Sequence, residues 1–246
     1  MKVVIIGGTG LIGRKLAAKL QSRGHDVVAA APSTGVNSLT GEGLEEVLTG
    51  ASVVVDVTNS PSFEDNAVMD FFQRSTEHLL SAAAQAGVSH YVALSVVGCD
   101  RIRDSGYLRA KRAQEGMIEA GGVPYTVLRA TQFFEFLNAI ADGATKGNEV
   151  YMSPSKFQPV AADDVAATLA EIATAPPKNG FAELAGPEAS SMAEFIQSFL
   201  SSKGDKRKVV PDPNVKYFGA VLDKDGLAPA GQFIAGRIRF ADWAHA

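Results

Sequence analysis

The chain has almost no cysteine, one tryptophan, little excess charge and no long apolar run. Its single cysteine, Cys99, excludes an internal disulfide framework and suits a reducing compartment. With no histidine or second cysteine close by in sequence, Cys99 reads as a plain loop residue. The formal net charge of −4 gives no bulk attraction to nucleic acid or to an anionic membrane. The densest run of charge, residues 203–208, mixes signs and reads as a solvated turn. No segment reaches bilayer-spanning length without charge. The apolar start, residues 1–6, is broken at once by Gly7-Gly8-Thr9-Gly10 and has no small-residue cleavage site, so a cytoplasmic location is expected. Tandem repeats and low-complexity linkers are also missing, and no metal is expected.

What is present is ordinary globular composition, 46% hydrophobic over 246 residues, which is enough for a full core. Residues 3–6 form a short apolar run ending in glycines, the mark of a buried parallel strand. A helix follows over 11–23, with Leu11, Ile12, Leu16 and Leu20 at helical spacing and Gly24 as its stop. The next strand, 27–31, is closed by Pro32. A short helix at 43–48 is all that separates it from a strand at 53–57. Then come a helix over 67–86, a strand over 88–95, a helix over 108–120 and a strand over 125–128. That rhythm specifies an α/β fold with a doubly wound parallel sheet. Beyond Thr131 the pattern loosens, with strands at 149–152 and 181–184 and helices at 163–173 and 190–200. The Asp163-Asp164 pair is expected to cap the first of these helices. The division expected is a nucleotide-binding domain over 1–175 and a smaller substrate-binding lobe over 176–246, packed on it.

Gly7-x-x-Gly10-x-x-Gly13 sits between a predicted strand and a predicted helix, the context that gives this motif its meaning. The first glycine allows the tight turn, the second admits a pyrophosphate to the backbone, and the third lets helix and strand pack. Thr9, Gly10, Leu11, Ile12 and Gly13 then hold the anion at the positive end of the helix. An NAD site usually carries an acid at the end of the second strand. Ala29-Ala30-Ala31-Pro32-Ser33-Thr34 has none. Ser33, Thr34 and Arg14 could hold a 2′-phosphate, which favours NADP and leaves NAD open.

Strand 88–95 ends at Ser95, and twelve residues on stands Tyr107-Leu-Arg-Ala-Lys111. Residues four apart share a helix face, so the Lys111 ammonium is expected beside the Tyr107 phenol, lowering its pKa. Tyr107 would then exchange a proton with substrate, Ser95 would bond the same oxygen, and Lys111 would also hold the nicotinamide ribose.

With these residues in place the chain resembles the short-chain dehydrogenase/reductase superfamily, and most of all its atypical, NmrA-like branch. The resemblance rests on Gly7 to Gly13, residues 53–59, the run from His90 to Gly98, Tyr107 with Lys111, residues 124–134, 158–165 and 184–188. It implies a Rossmann-type sheet, and cofactor contacts at Thr58, Asn59, Ala130, Thr131 and Phe133. It also implies a pocket beneath the C-terminal lobe. A homodimer through the helices at 67–86 and 108–120 would follow the superfamily's four-helix pairing. The usual third strand is shrunken to residues 36–39. Many NmrA-like proteins lack the tyrosine and act as redox sensors, whereas Tyr107 is present here.

Phe133 and Phe134 are expected to line a flat apolar pocket, joined by Phe157, Phe218, Phe63, Tyr151 and Tyr217, with Phe136 and Leu137 as core. A planar aromatic or quinone-like small molecule suits such a wall. Three readings stand: an NAD(P)-dependent oxidoreductase acting on an apolar carbonyl or alcohol, an oxygen-using tailoring enzyme for aromatic polyketides, and a non-catalytic dinucleotide sensor.

Overall fold

Val3, Val4, Ile5 and Ile6 are all shielded from solvent, as a strand covered on both faces must be. They form β1 (Lys2–Ile6) of the computed structural model, which describes residues 1–245. Val3 and Ile5 join one apolar cluster and Val4 joins the other. Because strand side chains alternate faces, each face of the sheet needs its own helices.

The chain supplies them in order. After β1 come α1 (Leu11–Ser22), β2 (Asp26–Ala30), α2 (Leu44–Leu48), β3 (Val53–Asp56), α3 (Asp65–Gln85), β4 (His90–Val96), α4 (Gly106–Ala120) and β5 (Tyr125–Ala130). The lobe that follows begins with α5 (Leu137–Gly143), β6 (Thr145–Lys146), β7 (Glu149–Met152) and β8 (Lys156–Phe157). Next are α6 (Ala162–Thr174), β9 (Gly180–Ala185), β10 (Ser190–Ser191), α7 (Met192–Ser202) and β11 (Lys208–Pro211). The last elements are β12 (Lys216–Tyr217), β13 (Ala220–Val221), β14 (Ile234–Ala235) and α8 (Phe240–Ala244).

Seven strands make one sheet in the order β14-β9-β5-β4-β3-β1-β2. Every neighbouring pair is parallel. Ile12, Leu16 and Leu20 of α1 pack with Val165, Leu169 and Ala173 of α6 on one face. Leu44, Leu48, Leu79, Leu80 and Ile118 of α2, α3 and α4 cover the other. This is a Rossmann-type, doubly wound fold. The chain runs outward from β1 to β2, then crosses back to β3. Connections leaving the carboxyl ends of β1 and β3 therefore diverge and open a crevice.

Residues 36–39 form no strand. A 3-10 turn at Pro32–Thr34 and an isolated bridge between Asn37 and Glu42 replace it, so β2 is the sheet edge. Gly35, Gly41 and Gly43 all take positive φ, which lets this excursion fold back within a dozen residues.

The lobe does not begin at residue 176. β9 and β14 lie in the main sheet, whereas β7 pairs with β11 and β8 with β10 across the expected boundary. The chain thus weaves between the two parts. Asp163 and Asp164 do not cap α6 either. Its first amide, on Ala162, donates to both oxygens of Glu135 at 3.2 and 3.1 Å. Asp163 pairs instead with Lys15 at 2.8 Å, and Asp164 Oδ2 accepts the amides of Arg237 and Ile238, tying down the tail.

Candidate functional site

Between the carboxyl ends of the strands and the lobe lies a cavity of about 1060 Å³. Its floor is the glycine turn. Gly7 stands at φ +82°, and its amide and that of Gly8 donate to the Ala30 carbonyl at 2.9 and 3.0 Å. A Cβ on Gly13 would come within 2.3 Å of the Gly7 carbonyl oxygen, and one on Gly8 within 2.6 Å of Ala29 Cα. Helix α1 starts at Gly10 with no side-chain cap and no acid in its first turn. The amides of Leu11, Ile12 and Gly13 therefore lack intrahelical acceptors, beside a cavity that all three residues line. An uncapped, unopposed helix start fits a diphosphate.

Thr9, Gly10, Thr58, Asn59, Ala130, Thr131 and Phe133 line the same cavity. Three other predicted contacts do not. Arg14 is exposed, and its guanidinium donates to the Thr9 carbonyl at 2.6 Å, bracing the turn. Ser33 is exposed in the 3-10 turn. The Thr34 hydroxyl accepts from the Ala31 amide and donates back to the Ala31 carbonyl, each at 2.9 Å. The wall at this end is built from Ala31, Pro32, Val36, Asn37, Ser38 and Leu39. The sequence hinted at the last four only through their place in a glycine-punctuated loop.

Ser95, Tyr107 and Lys111 also reach the cavity wall, but their partners differ from expectation. The single hydroxyl proton of Ser95 goes to Glu115 Oε1 at 2.7 Å, so Ser95 is not presented as a donor to a substrate carbonyl. Lys111 is buried and donates to the Leu94 carbonyl at 2.9 Å and to the Gln114 side-chain oxygen. Its ammonium also sits 4.4 Å from the Phe72 ring centroid. Burial lowers the Lys111 pKa, opposed by the charge of Asp56. The Tyr107 hydroxyl makes no hydrogen bond among the described residues, and its ring contacts Phe63, Phe72 and Phe218. Burial pushes the phenol above its ordinary pKa rather than below it. Desolvation outweighs the expected help from Lys111, two of whose three donors are engaged elsewhere.

Two buried polar networks lie beneath the wall, and sequence spacing does not signal their pairings. In one, Arg129 forks onto both oxygens of Glu115 at 2.8 and 2.7 Å and also bonds Asp100 at 2.6 Å. In the other, Asp56 accepts from the Thr58 amide and hydroxyl, from Tyr91 and from Gln114. Spacing on α4 signals only that Lys111, Gln114 and Glu115 share its inner face.

The aromatic expectations divide. Phe133, Phe63, Tyr151, Tyr217 and Phe218 line the cavity. Phe134 and Phe157 do not. Each is 1% exposed, Phe134 against Phe195, Phe240 and Trp243, and Phe157 against Phe195. Phe136, expected in the core, is 49% exposed and stacks on Phe133 at 5.5 Å on the cavity wall. The 3-10 turn Phe134–Phe136 exchanges their places by turning Phe134 inward.

A family described as NAD(P)H-binding matches residues 7–176. A Streptomyces griseus (4-alkanoyl-5-oxo-2,5-dihydrofuran-3-yl)methyl phosphate reductase is 28% identical over 78% of this chain and 70% of its own length. A rice (Oryza sativa subsp. indica) divinyl chlorophyllide a 8-vinyl-reductase is 30% identical over 69% of this chain. A photosystem II assembly factor Ycf39 from Cyanophora paradoxa is 22% identical over 56% of it. The chain spans only about half the length of these last two, 50% and 47%. Among solved structures, a Streptomyces venezuelae dTDP-glucose 4,6-dehydratase with NAD and TYD bound matches with TM-score 0.73 at 16% identity. That match covers 100% of this chain and 95% of the other. The Escherichia coli quinone oxidoreductase QOR2 with NADPH matches at TM-score 0.66 and 20% identity, over 85% and 78%. At such identities these two speak for the fold.

Proposed function

The chain belongs to the NAD(P)H-binding family, alongside atypical short-chain dehydrogenase/reductase and NmrA-like members, and from that premise we propose a reductase of apolar, conjugated carbonyl compounds. The observation that carries this reading is one continuous cavity with the glycine turn at its floor and Tyr107 and Lys111 on its wall. When bound, a reduced nicotinamide supplies hydride to the substrate carbon. The Tyr107 hydroxyl gives its proton to the oxygen that gains the electron pair, and water restores the phenol. Burial holds the phenol above its ordinary pKa, so it is protonated near neutrality but a weaker acid, and the Lys111 charge must favour the transfer. Lys111 would hold its positive charge toward that oxygen and toward the ribose hydroxyls of a bound coenzyme. Ser95 acts as an anchor through Glu115.

Phe133 stacked on Phe136, with Phe63, Tyr217 and Phe218 from the loops, favours a flat aromatic or quinone-like substrate. NADP is preferred over NAD because Ala31 and Pro32, rather than an acid, follow β2. The test is consumption of NADPH and NADH against a panel of quinones and aromatic carbonyls. Tyr107→Phe should cut turnover by about 10²–10⁴ with coenzyme affinity held. Full activity in that variant overturns the assignment.

A second reading, a dinucleotide sensor without turnover, is favoured by one observation: the Ser95 hydroxyl is committed to Glu115. It requires saturable, redox-selective coenzyme binding and no turnover across the same panel.

A further inference from the structure

The Lys111 ammonium does not reach a carboxylate directly. Gln114, one turn along α4, stands between it and Asp56. The Gln114 side-chain oxygen accepts from Lys111, and its nitrogen donates to Asp56 Oδ2 at 3.0 Å, which fixes the carboxamide's orientation. Asp56 has no freedom to shift, being held by the Thr58 amide at 2.9 Å, the Thr58 hydroxyl at 2.7 Å and the Tyr91 hydroxyl at 3.1 Å. Gln114, Asp56 and Lys111 are each no more than 2% exposed.

We propose that Gln114 is a positioning residue for the proposed reduction, relaying the Asp56 charge to Lys111 and aiming the ammonium at the cavity. An ammonium has three donors; two go to Leu94 and Gln114, leaving one for the cavity that Lys111 lines. Thr58, which clamps Asp56, lines that cavity as well. One network thus fixes both the loop after β3 and the cation on α4. The groups facing Lys111 are Asp56 from β3, Cys99 after β4, Glu115 and Tyr107 on α4, and the Phe72 ring from α3. Cys99 is pushed up to about 12 by burial and stays neutral, and Glu115 is occupied by Arg129, which leaves Asp56, whose hydrogen-bond donors are all uncharged, as the cation's main counter-charge.

This inference rests on the reductase reading for its importance, but its test can be read without turnover. The titration of Lys111 would be followed by NMR in ε-13C-lysine-labelled protein without coenzyme, in wild type, Gln114→Met and Gln114→Glu. Gln114→Met removes the acceptor at similar volume, and Lys111 should titrate about one pH unit lower than in wild type. Gln114→Glu adds negative charge, and Lys111 should titrate higher. In the active enzyme the basic limb of the kcat/KM profile should move the same way in each variant. An unchanged Lys111 titration in either folded variant overturns the proposal. Absence of turnover by wild type across the quinone and carbonyl panel would instead remove the reductase reading and leave the titration result standing.

Discussion

Ser95 Oγ and Glu115 Oε1 lie 2.7 Å apart, joining the carboxyl end of β4 to the middle of α4 through a carboxylate that Arg129 already grips with two donors. Glu115 is 1% exposed in its side chain and Arg129 9%, so neither charge has water to fall back on. Removing Glu115 takes away the acceptor of two Arg129 bonds and leaves the buried guanidinium with Asp100 as its hydrogen-bonded partner, which costs about 3 kcal/mol. Glu115→Ala should therefore lower the melting temperature by about 10 °C. Ser95→Ala, which leaves the ion pair whole, should cost about 1–2 kcal/mol and reduce turnover less than about tenfold. Thermal unfolding beside steady-state kinetics checks both. A loss of several hundredfold in Ser95→Ala, with little change in stability, would return Ser95 to the reacting centre.

The glycine turn makes a sharper demand. Gly13 is pressed against the Gly7 carbonyl so closely that a Cβ there would meet backbone rather than a movable side chain. Gly13→Ala should push α1 off β1 and disorder the amides that face the cavity. Coenzyme affinity should fall at least about tenfold, measured by fluorescence titration. Gly24→Ala is the control for stability alone, since nothing crowds that position although its φ is +79°.

Much of this fold is legible because burial on two faces leaves apolar runs such as Val3 to Ile6, which ends in glycines, and Val53 to Val55. The glycine turn is legible for a related reason: only residues without a Cβ fit there. Spacing brings Ser95, Tyr107 and Lys111 toward one cavity wall but does not give their partners. Spacing along a helix says which residues share a face, not which strand residue that face meets. Glu115 and Arg129 are fourteen apart and Asp56 and Gln114 fifty-eight apart, and their pairings depend on the β3-β4-β5 order. The exchange of Phe134 and Phe136 turns on a single 3-10 turn that composition does not announce. The weaving of β9 and β14 into the main sheet is a matter of topology, which a linear cut at residue 175 cannot express.

His90 gives the fold a one-sided response to acid. It is buried at the start of β4 with Nε2 2.9 Å from Thr126 Oγ1, and burial lowers its pKa below the ordinary 6.5. Above pH 6.5 the ring is neutral in folded and unfolded chains alike, and its contribution is fully present. As pH falls, the unfolded chain takes up the proton first, so stability drops until the folded ring also titrates. Urea midpoints between pH 8 and 5 should fall more steeply in wild type than in His90→Gln. The comparison matters because Glu183, raised by burial, has the opposite sign and is common to both proteins.

Phe218 occupies a conformation that a bulky side chain avoids. It stands at φ +45° and is followed by Gly219 at φ +89°, the two-residue connection between β12 and β13. Two successive positive φ values define the hairpin turn in which Asn-Gly is preferred, and an aromatic at the first position costs about 1–3 kcal/mol. That strain places the ring 5.8 Å from Tyr107 and 5.2 Å from Phe63, with 44% of the residue still exposed at the cavity mouth. Phe218→Asn keeps the turn and deletes the ring. Stability should hold or improve by up to about 1 kcal/mol, as relief of strain offsets lost contact. If the ring closes over a flat substrate beside the phenol, KM should rise about five- to tenfold, while kcat and coenzyme affinity stay within about twofold. An unchanged KM would make the hairpin a structural closure only, and would move the choice of substrate to the Phe133–Phe136 stack.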